Sequence, residues 1–253
     1  MYLFIIFILT AAVPLVVMPR YIKQGISSPY GTVFNGALNT WFLIAFVFML
    51  SSFSGQGIFA QLHIQVNDMI AMAVKNPAFS ELPIFGELNT AEKTELLTKS
   101  YDEMLITLPA YIMALSAIIS YAEYIILTNV LKKRFKTKPM TKFREFTLPL
   151  NAVMGIFLMY IASWAITMTG SEFGNVVYAN INFIFNFVFT LQGISVVFMF
   201  CHMKRILKAV AVIAAILIWS NYIGQMLLTM LGLFDLIFGL KGRIQGGGRR
   251  KTL

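Results

Sequence analysis

A chain of 253 residues that is 58% hydrophobic and only 12% charged, with a mean hydropathy of +0.75, lies outside soluble globular composition. Its net charge of +9 gathers beside the ends of apolar runs. There Lys and Arg meet anionic headgroups and set orientation, so the expected partner is a lipid surface and not nucleic acid. The single cysteine, Cys201, excludes an internal disulfide and a thiolate metal cluster.

Met1 to Met18 is apolar from its second residue and stops at Pro19-Arg20, with Lys23 close by. A signal peptide would carry its positive residues ahead of the apolar run, so a retained span is expected. Gly25 to Gly36 is a polar connection, and Ala37 to Ala60 is the second span, in which Ser51 and Gly55 form a small-xxx-small packing pair. Gln61 to Leu108 holds seven acids against three lysines. Asn89 or Thr90 gives an N-cap signal there, and Leu96, Leu97, Tyr101, Met104 and Leu105 recur at helical spacing. This is expected to be an extracytoplasmic insertion of amphipathic helices, broken at Pro77 and Pro83.

Pro109 to Leu131 is a third span, closed by "KKRFKTKPMTKFRE", where seven basic residues meet one acid. That is the strongest positive-inside signal of the chain, so Lys132 to Glu145 is expected in the cytoplasm. Phe146 to Thr169 leads outward to the turn "GSEFGN", and Val176 to Cys201 returns to Lys204, Arg205 and Lys208. Ala209 to Leu240, at 32 residues, is too long for one upright crossing and too short for two. A single long, bent helix is favoured over a re-entrant bend at Ser220 to Gly224, which protein would have to shield. The Gly-rich basic end is expected to be flexible. The fold class is therefore an all-α polytopic helical membrane protein of about six membrane segments. Its parts are two N-terminal helices (1–60), the insertion (61–108), a bundle (109–243) and a tail (244–253).

Polar residues inside the apolar runs carry the functional reading. At 100° per residue, Asn182, Asn186, Phe189 and Gly193 share a face, with Gln192 and Ser195 beside it. Asn221, Gln225, Thr229, Gly232 and Asp235 form a second stripe, and Tyr160, Ser163, Trp164 and Thr167 a third. Each residue can be interhelical glue, or the three stripes can enclose a polar cavity for a solute. Glu123 stands about nine residues before the Lys132 cluster. An acid at that depth is a functional group, a protonated acid bonded to a neighbouring helix, or one snorkelling toward Lys132. Asp235, near the end of its run, is expected at the interface. His63 and His202 are the only histidines, and no zinc, nucleophile-elbow or phosphate-loop motif occurs. Neither an enzyme nor a cofactor is expected.

"LPAYIMALSAIISYAEYIILTNVLKKR", "FREFTLPLNAV", "LQGISVVFMF" and "LGLFDLIFGLKGR" together resemble the YybS-like family of bacterial membrane proteins over Leu105 to Arg243. In that family a basic residue follows the final Asp, a role open here to Lys241 and Arg243. Members often carry further spans ahead of this region, where this chain is short. The family is distantly similar to the substrate-capturing S subunits of energy-coupling-factor transporters. The resemblance implies a multi-pass protein of the bacterial cytoplasmic membrane, reading as a solute-binding import protein. Glu123, Asn182, Asn186, Gln192, Asn221 and Gln225 would line its cavity, and energising subunits would be its partners. The alternative is a non-transporting scaffold or partner subunit of a membrane complex.

Orientation follows from the charge asymmetry and is directly testable. In a Cys201-free background, cysteine at Asn89 labels with an impermeant thiol reagent in intact cells, and cysteine at Thr137 labels only after lysis. Labelling of Thr137 alone in intact cells inverts the topology.

Overall fold

The computed structural model describes residues 2–24, 28–53, 58–76, 79, 85, 88–132 and 137–249, with the backbone alone at 2–6, 51–53, 58–60, 172 and 245–249. Among the described residues the regular structure is helical, without strands. The helices are α1 (Tyr2–Gln24), α2 (Pro29–Phe53), α3 (Ile58–Lys75), α4 (Thr90–Leu131), α5 (Leu150–Thr167), α6 (Glu172–Met203), α7 (Lys208–Trp219), α8 (Tyr222–Phe238) and α9 (Leu240–Arg249). The chain divides into two compact units, Met1–Lys138 and Pro139–Leu253.

In the first unit α1, α2 and α4 pack on one another and α3 lies along α4. Close approach has local causes. A Cβ at Gly36 of α2 would sit 3.1 Å from Met18 Cγ and 3.2 Å from Ser120 Oγ, so only glycine lets the three helices meet there. Further along, the Trp41 indole N–H donates to the Pro109 carbonyl at 3.0 Å, across α2 and α4. Pro109 therefore lies inside α4 and begins no new part, contrary to the division drawn from sequence.

The 42 residues of α4 make a rod of about 63 Å, roughly twice the hydrocarbon thickness. Its first half holds Glu92, Glu95, Asp102 and Glu103 and is the acidic insertion read from sequence. The start is fixed by a capping box. Asn89 Oδ1 accepts from Glu92 N at 2.9 Å, and Glu92 Oε2 accepts from Asn89 N at 2.8 Å. Amphipathic α3 closes the apolar side of this half by placing Ile70 and Val74 against Tyr101, with the His63 ring edge-on at 5.5 Å. The Ser51–Gly55 pair and the breaks at Pro77 and Pro83 lie outside the described residues.

In the second unit α5 and α6 form a hairpin through Gly170, whose φ of 71° suits glycine. Ser171 caps α6 by accepting from Gly174 N at 3.0 Å. The closest pairing is between α6 and α8. A Cβ on Gly193 would come within 2.0 Å of Leu228 O, and one on Gly232 within 2.0 Å of Phe189 O. Backbones therefore touch directly at this crossing, and Thr190 and Thr229 share a hydroxyl contact of 2.9 Å beside it.

Among the described residues four helices are long and apolar enough to cross a membrane, and α7 with α8 makes a fifth if that pair is one span, against the six segments expected. The break at Ser220–Asn221 lies where sequence placed a bend, but at 113° it is not the single bent helix that was favoured. Asn221 starts a new helix by accepting from Gly224 N at 2.6 Å, and a Cβ at Gly224 would meet Ile218 O at 1.7 Å. A reversal that tight requires glycine. Instead of the flexible tail, α9 continues as helix to Arg249.

The glycine crossing yields a signed prediction. Gly232→Ala forces α6 and α8 apart and destabilises the detergent-solubilised protein by about 1–3 kcal/mol. Gly155→Ala on α5, where nothing lies within 4 Å of the added methyl, is neutral or stabilising by up to about 1 kcal/mol. Thermal unfolding of both variants is the measurement; equal effects would show that the crossing is not tight.

Candidate functional site

Two groups of buried polar side chains stand out, one in each unit. The first is built by the α6–α8 crossing. With the backbones in contact at Gly193 and Gly232, Gln192 reaches Asp235, and its Nε2 donates to Asp235 Oδ2 at 2.5 Å. Gly239, in the left-handed conformation, turns the chain after α8 so that Lys241 comes back over the same carboxylate. Lys241 N donates to Asp235 Oδ1 at 2.8 Å, and its Nζ lies 3.1 Å from Oδ2. The ammonium also donates to Ser195 Oγ at 2.7 Å, to Thr147 Oγ1 at 3.2 Å and to the Phe146 carbonyl. Both side chains of the ion pair are more than nine-tenths buried.

This arrangement explains an irregular piece of backbone. The fourth span was expected to start at Phe146, yet helix α5 starts at Leu150 behind Pro149. The residues between are extended, and their polar groups need partners. Lys241 and Ser195 donate to Phe146 O, and Gln192 Oε1 accepts from Leu148 N at 3.2 Å. Burial pushes the Lys241 ammonium down from its ordinary range, and the Asp235 carboxylate opposes that shift. The cluster is thus a clasp joining α6, α8, α9 and the segment before α5, with each side chain bonded inside the chain.

The second group lies on α4. Ser116, Ser120 and Glu123 recur at i, i+4 and i+7 and so share one face. Both serines are fully buried and Glu123 is 8% exposed. Ser116 Oγ, Ser120 Oγ and Glu123 Oε2 make no hydrogen bond. Helical serines commonly bond back to the carbonyl four residues earlier, as Thr40 does to Gly36 O at 2.8 Å; these two do not. Tyr124, next to Glu123, donates to Lys138 O at 2.7 Å, so the start of the following loop folds back to this level. Among the described residues no cation pairs with Glu123.

The six residues read from sequence are thus distributed. Gln192 belongs to the clasp and Glu123 to the α4 face, in different units. Asn182 and Asn186 are neighbours on α6, and Asn186 Nδ2 donates to Asn182 O at 2.9 Å and to Asn182 Oδ1 at 3.2 Å. Asn221 caps α8, while Gln225 Nε2 donates to Trp219 O at 3.0 Å across the sharp bend. Both serve the reversal. Of the third stripe, Ser163 is buried and Tyr160 meets the Tyr178 hydroxyl at 3.2 Å. Asp235, expected at the interface, is buried at the centre of the clasp. The signal for it was present: an acid on the glycine face of one helix, followed six residues later by a lysine.

An internally bonded ion pair responds asymmetrically to mutation. Asp235→Asn or Lys241→Met alone leaves a buried charge without its partner and costs about 3–5 kcal/mol. The double variant costs less than the sum, as a thermodynamic cycle on the purified protein reports. Deleting residues 246–253, beyond Lys241, leaves stability nearly unchanged, whereas ending the chain at Gly239 reproduces the Lys241→Met loss.

A family model described as "Predicted membrane protein (DUF2232)" matches residues 1–236. The chain is 26% identical over 239 residues to the "Uncharacterized protein YybS" of Bacillus subtilis (strain 168), across 91% of this chain and 73% of that protein. No solved structure matches. Glu123, Gln192, Gly193, Gly232 and Asp235 all fall within the family match. The chain belongs to the DUF2232 family of predicted membrane proteins.

Proposed function

We propose that this membrane protein binds a small solute in the first unit and takes part in its import across the bacterial cytoplasmic membrane, with Glu123 as the charged group of the site. The observation that carries this reading is the α4 face, where two fully buried hydroxyls and a buried carboxylate oxygen make no bond within the protein. Groups of that kind call for a ligand, a water or an ion, because leaving them bare costs about 1–3 kcal/mol each. Gln192 does not belong to this site; its hydrogen bonds go to Asp235 and Leu148. Since no phosphate-loop motif occurs, energy for import comes from a partner subunit or an ion gradient.

The second reading, a non-transporting partner subunit, draws its support from the second unit. There Gln192, Asn186, Asn221 and Gln225 all bond within their own chain, as purely structural groups would. A thermal-shift screen of the full-length protein against vitamins, nucleobases and simple cations separates the two. We expect at least one stabiliser, worth about 2.7 kcal/mol at a hundredfold excess over its Kd, whose effect is lost in Glu123→Gln. Gln192→Ala melts earlier and keeps the response. An empty screen, repeated on Glu123→Gln without difference, favours the partner subunit.

A further inference from the structure

We infer that the α4 face binds a proton: Glu123 takes up and releases H⁺, with Ser120 the hydroxyl one turn before it on the same face. This rests on reading Glu123 as the charged group of the site, and it names the gradient that would drive import. Three observations lead to a proton and not to a larger cation. The face offers one carboxylate and two hydroxyls, whereas a bare metal ion takes about six oxygens. Among the described residues no three acidic, histidine or cysteine side chains come together to hold a metal. Among the described residues Glu123 also lacks the internal counterion that Asp235 has in Lys241, so a proton is the smallest neutraliser for it.

Two contacts fix the register around the acid: Gly36 lies level with Ser120 and Met18, and Trp41 with Pro109. One turn beyond Ser120, Glu123 is level with the end of α1 and the start of α2. The titratable side chains of those segments are Arg20, Tyr21 and Lys23 on α1, Tyr30 on α2, Tyr121 and Tyr124 on α4 itself, and Lys138 in the segment after α4, whose carbonyl accepts from Tyr124. Arg20 and Lys23 are exposed at the helix end. α3 packs near Tyr101, much earlier on α4, and brings no group to this level. Ser120, three residues before Glu123, is the hydroxyl nearest to the acid along α4, whereas Ser116 lies about 10 Å from it along the axis.

The test is infrared difference spectroscopy of the full-length protein in liposomes, between about pH 5 and about pH 9. We expect a protonated-carboxyl band that disappears reversibly as the pH rises. It is absent in Glu123→Gln and shifted in frequency in Ser120→Ala, which retains the acid and tests the assignment should Glu123→Gln fail to fold. The wild-type melting temperature also falls relative to Glu123→Gln over the same range. A band that does not titrate, or one that survives unshifted in both variants, overturns the proton site. If a stabilising solute depends on Glu123 while no carboxyl band titrates, the import reading stands and the proton inference fails. If the band titrates as expected and no solute binds, the proton site stands without a cargo.

Discussion

Hydrocarbon supplies no hydrogen bonds, and most of what is distinctive in this molecule follows from that one constraint. Helices meet it for their own backbones. Where the chain is not helical at the bundle, as at Phe146 to Pro149, side chains must finish the pairing. Lys241, Ser195 and Gln192 do so, and they can reach the segment only because α6 and α8 touch backbone to backbone at Gly193 and Gly232. Asp235 then holds the lysine that the segment needs. An ion pair in this setting is not a source of net stability against an apolar core. Its use is positional, since it ties four elements of the unit at one place.

The same constraint makes the two units differ in kind. In the second, buried polar atoms are matched inside the chain, so the unit is closed in the chemical sense. In the first, the Ser116–Ser120–Glu123 face is left unmatched although the helices around it are tightly packed, with Gly36 admitting Met18 and Ser120 at van der Waals distance. Close packing with unmatched oxygen atoms is costly for a purely structural helix. That contrast is why function is placed at Glu123 and architecture at Gln192, although both are polar residues in apolar runs and look alike on a helical wheel.

The length of α4, about twice the membrane thickness, carries the acidic half beyond the apolar half, with Pro109 between them. α3 covers the apolar side of the projecting half and leaves its acids at the surface.

By itself, the sequence determined the helical membrane class, the basic loop after Leu131 and a cap at Asn89 or Thr90, while at Ser220 to Gly224 it offered a bend but favoured one long helix. Composition, charge beside apolar runs and local backbone chemistry are all short-range properties, readable without a fold. It also singled out Glu123, because an acid in an apolar run is conspicuous wherever the helix packs. Only the tertiary structure decided which polar residues find partners. Asp235 looked interfacial because its helix ends soon after it, yet Gly239 turns Lys241 back onto it. Gln192 and Asn186 lie on adjoining faces of one helix, but Gln192 alone reaches across the glycine crossing, while Asn186 bonds to its own helix. Pairing of this kind depends on distances between segments some forty residues apart, which helical periodicity cannot supply.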